Sequence, residues 1–279
     1  MFGNNFDRDR RGNRDFDRGG FDRNTFDERF DNRGFDGRPQ GQNRMALDER
    51  DSDLETRSAI YLAKVMGWMC VGLLTTVVAA MAALSVPAVF SLVFGTQFGF
   101  MGIIIAQLIM VMSLSAGIGK MSPGMATVMF LAYSGLMGLT MSVFVVLYDL
   151  SSLLLAFSVT TFVFLTMSAY GFITKKDLTS IGRLCFFALI GIIVAAIANW
   201  FLGNAMLDFA ITVIGVLVFI GLIAYDTQNI KGIYQNAVMS GYDEYSDELR
   251  KLAIIGALKL YLDFINLFIM LLRLLGRRR

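Results

Sequence analysis

Seven long apolar stretches constrain the fold of this chain more than any other feature of the sequence. A helix needs about 20 apolar residues to cross the hydrocarbon core of a bilayer. Six stretches meet this requirement, at approximately residues 62–84, 99–118, 124–147, 152–173, 184–203 and 206–225. A seventh stretch, roughly 252–275, contains four polar or charged residues, Lys259, Asp263, Asn266 and Arg273. Exposing these side chains to lipid would be costly, so we expect this helix to lie inside the bundle. The sequence predicts an all-α membrane protein, a bundle of seven transmembrane helices.

Residues 1–57 differ from the rest of the chain in composition. They hold 12 of the 25 Lys and Arg and 14 of the 23 Asp and Glu, and Phe-Asp recurs among them without a helical or strand period. Such a segment is typical of a disordered arm, so we expect an arm at 1–57 and a transmembrane domain at 58–279. The aspartates cancel the positive field that nucleic-acid binding needs. A solvated tether and an arm that docks a membrane protein partner both remain open.

The residue types that the sequence lacks exclude several kinds of catalytic and metal site. The chain has no histidine and only two cysteines, so a histidine zinc site, a Ser-His triad and an imidazole proton relay are excluded. Cys70 and Cys185 each lie in an apolar stretch, where packing as a small apolar residue is the ordinary role. We expect no cofactor, and any proton or cation chemistry falls to carboxylates.

The basic residues of the connections predict the orientation. Seven of them follow the second, fourth and sixth stretches: Lys120, Lys175, Lys176, Arg183, Lys231, Arg250 and Lys251. The connections after the first, third and fifth stretches contain none. Because cytoplasmic loops are enriched in Lys and Arg, the N-terminus and the even connections are expected in the cytoplasm. Three arginines at 277–279 break this pattern, so the last segment either crosses against the rule or is re-entrant.

Two aspartates are the candidate functional residues. Asp226 closes the sixth stretch, and Asp263 lies about 12–17 Å below the cytoplasmic surface if its helix begins between Leu252 and Ile255. An ionised carboxylate is expensive at that depth. Lys259 precedes Asp263 by one helical turn, so a private Lys259–Asp263 pair is one interpretation, and a solvated position at a helix end is the plain one for Asp226. If the two acids instead approach each other, they titrate as one unit and form a pH sensor.

At these residues the sequence resembles the transmembrane Bax inhibitor motif family, also called the Bax inhibitor-1 family. The matching strings are KKDLTS at 175–180, YDTQ at 225–228, IK at 230–231, LYLDFINLF at 260–268 and LLRLLG at 271–276. The resemblance covers about residues 58–279. It implies a seven-helix bundle with a central last helix and a pH-sensitive calcium leak governed by Asp226 and Asp263. Lys259, Tyr225, Tyr261 and Asn266 lie in or beside these strings and are the candidate supporting residues.

Three functions follow as hypotheses. The first is a leak channel, in which Asp226 and Asp263 form a weak calcium site, since Ca²⁺ prefers oxygen ligands. The second is a regulatory membrane protein that docks a partner, such as a membrane-bound protease complex, through the arm. The third and remotest is an intramembrane aspartyl protease, which Tyr225-Asp226 fits but the string around Asp263 does not. We therefore expect no enzyme, and a multi-pass protein of the bacterial inner membrane in contact with lipid.

Overall fold

A computed structural model describes residues 40–95 and 97–277, although the side chains of residues 40–47, 90, 92–94, 97 and 98 are not included. From Ser52 onward the described residues belong to one compact unit. The helices are α1 (Gln40–Ser85), α2 (Pro87–Phe94), α3 (Gln97–Gly117), α4 (Pro123–Leu147), α5 (Leu150–Ile173), α6 (Thr179–Leu202), α7 (Ala205–Met239) and α8 (Asp247–Leu275). Over these ranges there is no β-strand, and all helices except α2 are long and apolar enough to cross a membrane. The predicted seven-helix membrane protein is confirmed.

Helix α1 begins at Gln40, well before residue 57, where the sequence placed the end of the arm. Polar contacts within the helix accompany this early start: the Arg57 and Asp53 side chains form an ion pair of 3.1 Å, and the Thr56 hydroxyl donates to the Ser52 carbonyl. Pairs of this kind, one turn apart, favour an exposed helix. The last part of the predicted arm is therefore helical, and residues 1–39 lie outside the described part of the chain.

Helix α8 occupies the centre of the bundle. In its most apolar window 61% of the residues are buried, against 17–33% in the other six candidate spans, and it packs against α4, α5 and α7. A helix surrounded by protein can carry polar side chains that lipid would not accept. This arrangement confirms the predicted central position of the last helix and explains how Lys259, Asp263 and Asn266 are accommodated in it.

The end of α8 lies beside the start of α5 and of α7. The Arg277 backbone N–H donates to the Ser152 hydroxyl at 2.9 Å, and Arg273 forms an ion pair with Asp208 in the first turn of α7. The 29-residue helix is continuous and therefore about 43 Å long. A re-entrant segment would turn back toward its starting side, whereas α8 runs from the α7–α8 connection to the opposite end of the bundle. The geometry thus favours a helix that crosses completely.

Small residues allow the close helix crossings. A Cβ atom on Gly171 of α5 would lie 2.2 Å from the Ala224 carbonyl oxygen of α7, and one on Gly138 of α4 would lie 2.3 Å from the Thr76 carbonyl oxygen of α1. No side chain fits at these distances, so the backbones pack directly against each other, as small residues permit in membrane helices. The Gly171 crossing is two residues from Asp226 and fixes the position of that part of α7.

Candidate functional site

A cavity of about 630 Å³ lies between α6, α7 and α8 and contains both candidate aspartates. Its apolar wall is built mostly of Phe and Leu side chains. Its polar lining consists of Arg183, Tyr225, Asp226, Lys259, Asp263 and Asn266. The two acids come from different helices, and their carboxyl groups are close enough to interact electrostatically. The structure therefore brings together the two residues that the sequence singled out.

Asp226 does not close its helix, and this corrects the sequence prediction. Helix α7 continues to Met239, thirteen residues further on, because residues beyond Asp226 are also buried in the bundle. Ile230 is 4% exposed, and the buried Tyr234 ring stacks on Tyr61 of α1 with the ring centroids 4.6 Å apart. The side chain of Asp226 is 13% exposed. A solvated position at a helix end does not describe this residue.

Asp263 is the more deeply buried of the two acids. It is 6% exposed, and its Oδ2 atom has no hydrogen-bond partner among the atoms that the structure describes. Its helix begins at Asp247, sixteen residues earlier. The depth of Asp263 below the cytoplasmic surface was calculated for a helix that begins between Leu252 and Ile255, and the helix begins before both. Buried polar atoms in proteins are nearly always hydrogen-bonded. An unpaired carboxylate oxygen beside a second carboxyl group is unusual for a purely structural acid.

Lys259 forms its ion pair with Asp226, and this corrects the interpretation of a private Lys259–Asp263 pair. The Lys259 Nζ atom lies 3.8 Å from Asp226 Oδ1, across the α7–α8 contact. The lysine side chain is 43% exposed. Its charge still acts on Asp263 electrostatically. The site is therefore a cluster of one cation and two carboxyl groups and not two separate polar residues.

Of the other predicted supporting residues, Tyr225 and Asn266 line the cavity and Tyr261 does not. A Cβ atom on Gly182 of α6 would lie 2.5 Å from the Tyr225 ring, so α6 can approach this tyrosine only through a glycine. The buried Tyr261 hydroxyl lies 2.7 Å from Thr76 Oγ1 of α1. Residues that lie two positions apart in a helix are rotated by about 200° around its axis. Tyr261 and Asp263 therefore occupy opposite faces of α8.

Sequence reasoning missed Gln228, which positions the helix that carries Asp226. The Leu178 backbone N–H donates to Gln228 Oε1 at 2.9 Å, and Gln228 Nε2 donates to the Lys176 carbonyl at 2.8 Å. This amide therefore fastens the α5–α6 connection to α7. In the same connection the Thr179 hydroxyl and backbone N–H donate to Asp177 and hold the pKa of that carboxyl below its usual range. The string YDTQ contained the signal for Gln228, but only Tyr225 and Asp226 were selected from it.

Lys231 and Arg183 were noted only as basic residues that predict orientation. The Lys231 Nζ atom donates to the Phe172 carbonyl of α5 at 3.1 Å and pairs with Glu55 of α1 at 3.2 Å. It thus links three helices near the Asp226 level. Arg183, near the start of α6, lines the cavity itself.

The cavity offers few ligands to a cation. Within the described ranges, no group of three or more His, Cys, Asp or Glu residues is arranged to hold a metal ion. A cation in the cavity would meet two carboxyl groups, the Asn266 amide and water. Ca²⁺ usually takes six to eight oxygen ligands, so such a site would bind weakly.

Seven helices that are long and apolar enough to span a membrane, the last of them buried in the bundle, define a polytopic membrane protein. Residues 58–279 match the family model described as "Inhibitor of apoptosis-promoting Bax1". The chain belongs to this Bax inhibitor-1 family, as the matching strings predicted. The arm lies outside the match.

Three bacterial proteins are similar in sequence to this chain over nearly their whole lengths. The chain is 46% identical over 231 residues to "Inner membrane protein YbhL" of Escherichia coli (strain K12), which covers 82% of this chain and 97% of the relative. It is 42% identical over 219 residues to the protein RP147 of Rickettsia prowazekii, covering 78% and 90%. A Deinococcus radiodurans protein is 36% identical over 214 residues, covering 77% and 89%.

Proposed function

We propose that this protein is a pH-sensitive, calcium-permeable leak channel whose conductance is controlled by Asp226 and Asp263. The observation that carries the proposal is the position of these two acids in one cavity, on the two helices that pack together most extensively. Two like charges in an apolar surrounding repel each other strongly. The pair can therefore hold a proton jointly, and the number of protons on it changes with the pH of the adjoining compartment.

Protonation changes the packing of α7 against α8. When both acids are ionised, the Lys259 ammonium, 3.8 Å from Asp226, balances only part of their charge. When a proton bridges the pair, the repulsion between the two helices disappears. The proposed gate is this difference in electrostatic energy across the α7–α8 contact, where the Lys259–Asp226 ion pair joins the two helices.

A weak site is what a leak pathway requires. An ion must bind well enough to leave water but weakly enough to dissociate again. Two carboxylates, an amide oxygen and water would meet that condition for Ca²⁺, and protonation of the acids would lower the affinity. Calcium is thus the proposed ion, and Asp226 and Asp263 are its proposed ligands.

For the location we propose a bacterial inner membrane, with the N-terminus in the cytoplasm. The name of the Escherichia coli relative states an inner membrane protein, and the asymmetry of basic residues supports the orientation. In that orientation the α5–α6 connection, held by Gln228, faces the cytoplasm. Cytoplasmic pH is then the proposed input.

The test is ion flux into liposomes that contain the purified full chain. We expect Ca²⁺ flux to change with pH through one transition, and K⁺ flux to be lower than Ca²⁺ flux at every pH. Empty liposomes and liposomes with the Asp226→Asn protein serve as controls. Equal, pH-independent flux in the native and Asp226→Asn proteins would refute the channel proposal.

The docking hypothesis concerns a different part of the chain. The family match begins at residue 58, so an arm that binds a membrane protein partner could act independently of the cavity. Proteolysis has less support, because the string LYLD that ends at Asp263 does not fit the second acid motif of intramembrane aspartyl proteases.

A further inference from the structure

A second cavity lies between α1, α4 and α8, at the end of the bundle where α8 begins. Its volume is about 400 Å³, and its lining includes Lys64 and Trp68 of α1, Gly124 at the start of α4, and Arg250 and Ile254 of α8. We call it the Lys64 groove. It shares no lining residue with the cavity of Asp226 and Asp263. The function proposed above makes no use of it.

The Lys64 groove contains two cations and no acid. Neither Lys64 nor Arg250 forms an ion pair with a carboxylate in the described part of the chain, whereas Lys231, Lys251 and Lys259 all do. Both side chains belong to exposed residues. Two unpaired cations around a concave surface produce a positive potential that favours an anion. Arginine and lysine are also the side chains that bind phosphate oxygens most readily.

An apolar strip continues from the groove along the outside of the bundle. Val71 and Val78 follow Trp68 on the same face of α1 and are 41% and 68% exposed, and Val128 of α4 is 63% exposed. In a membrane helix such side chains face acyl chains. Tryptophan is enriched where headgroups meet the hydrocarbon region. A ligand with an anionic head and an apolar tail fits the groove and strip together, and a free phosphate fits only the groove.

We propose that the Lys64 groove binds the phosphate headgroup of an anionic phospholipid from the leaflet at this end of the bundle. Lys64 and Arg250 bind the phosphate oxygens, the Trp68 ring packs against the glycerol region, and one acyl chain lies along Val71 and Val78. Basic pockets between transmembrane helices on the cytoplasmic side are the recognised place for such headgroups. Because the groove joins α1, α4 and α8, a bound lipid would connect the first helix to the central one.

Tryptophan fluorescence provides a direct test, since the chain has only two tryptophans. Trp200 lies near the end of α6 and is 77% exposed, so Trp200→Phe leaves Trp68 as the single reporter. The full chain is reconstituted in phosphatidylcholine vesicles, and either brominated phosphatidylglycerol or brominated phosphatidylcholine is added at increasing mole fraction. We expect brominated phosphatidylglycerol to quench Trp68 at a mole fraction about 25-fold lower than brominated phosphatidylcholine does, since each of the two basic residues contributes about fivefold. Equal quenching by the two lipids would overturn the proposal.

Charge variants separate a specific site from general attraction to a basic surface. In the Trp200→Phe protein, Lys64→Gln with Arg250→Gln should abolish the preference for phosphatidylglycerol. Lys175→Gln with Lys176→Gln removes the same charge from exposed residues outside the groove and should preserve it. An equal loss in both double variants would overturn the site. Relief of phosphatidylglycerol quenching by millimolar inorganic phosphate would also overturn it, since the groove would then take the free anion.

Discussion

The Lys259 ammonium lies 3.8 Å from the Asp226 carboxylate of the neighbouring helix, although Asp263 is only one turn further along its own helix. The lysine therefore joins α7 to α8 instead of neutralising Asp263 locally. Asp263 retains one buried oxygen without a hydrogen-bond partner in the described structure. The charge of the whole cluster thus depends on how many protons the two acids hold.

Replacing either acid with asparagine should change the pH dependence of Ca²⁺ flux in liposomes. Asp226→Asn and Asp263→Asn keep the side-chain shape but remove the like-charged neighbour of the remaining acid. We expect the flux transition to flatten or to shift by about one pH unit or more in each variant. The double variant should add little to either single change, since residues that act as one unit are not additive.

The matched control for these variants is Asp243→Asn, which removes an exposed acid from the α7–α8 connection. It should leave the flux transition in place. Effects of Asp226→Asn and Asp263→Asn that simply sum would show two independent acids and contradict the coupled pair.

Lys259→Met should move the flux transition to higher pH. Methionine preserves much of the apolar stem but removes the cation that favours the charged forms of both acids. Lys251→Met is the control, because Lys251 pairs with Glu248 on its own helix, 3.7 Å away and outside the cavity. Identical flux profiles for the native and Lys259→Met proteins would exclude Lys259 from the gating cluster.

Gly171→Ala should destabilise the bundle at the α5–α7 crossing. The new Cβ atom would lie 2.2 Å from the Ala224 carbonyl oxygen, which is backbone and can move only with its helix. We expect a loss of about 1–3 kcal/mol in the free energy of unfolding, the usual cost of overpacking. Thermal unfolding in detergent measures it.

Gly191→Ala is the control for this substitution. Gly191 is also a helical glycine, but nothing lies within 4 Å of its added Cβ atom, so this variant should be as stable as the native protein or slightly more stable. A Gly171→Ala protein that unfolds at the native temperature would mean that the crossing is not close-packed.

The number of helices could be predicted from hydropathy, but two of the boundaries could not. Helix α1 extends back to Gln40 and α7 extends on to Met239 through polar residues. The helical turns made of these polar residues are not apolar enough for a hydropathy window to detect. Lys231 is an example: it is charged, but it belongs to α7 and contacts Glu55 and Phe172 of neighbouring helices.

The two acids of the candidate site could be selected from the sequence, whereas their partners could not be predicted. Acids in apolar helices are rare enough to select Asp226 and Asp263 from the sequence alone. The Lys259–Asp226 pair depends on the relative rotation of α7 and α8, which one sequence does not specify. The selection of Tyr261 as a supporting residue could have been avoided, because helix geometry alone places it about 200° around the helix axis from Asp263.

Deletion of residues 2–39 separates the channel from the docking hypothesis. The deletion stops before the first described helical residue, Gln40, so the bundle should retain its thermal stability. We expect the pH-dependent Ca²⁺ flux to persist, because both acids lie in the family-matched part of the chain. If the deletion abolishes the flux of a protein that is still folded, the arm is part of the channel mechanism.

A topology reporter at the chain end tests how α8 crosses the membrane. The end of α8 is fastened to the start of α5 by the Arg277–Ser152 hydrogen bond and to the start of α7 by the Arg273–Asp208 ion pair. A reporter after Arg279 should therefore lie on the same side as one inserted after Gly203, and a reporter within 240–248 should lie on the opposite side.

Under the positive-inside rule the reporters after Arg279 and Gly203 should be periplasmic and the reporter within 240–248 cytoplasmic. The three terminal arginines are then an exception to that rule. Pairing Arg273 with Asp208 neutralises one basic residue near that end, which lowers the cost of placing the basic terminus outside. A reporter after Arg279 on the same side as one at 240–248 would show that α8 turns back, and would contradict the continuous central helix.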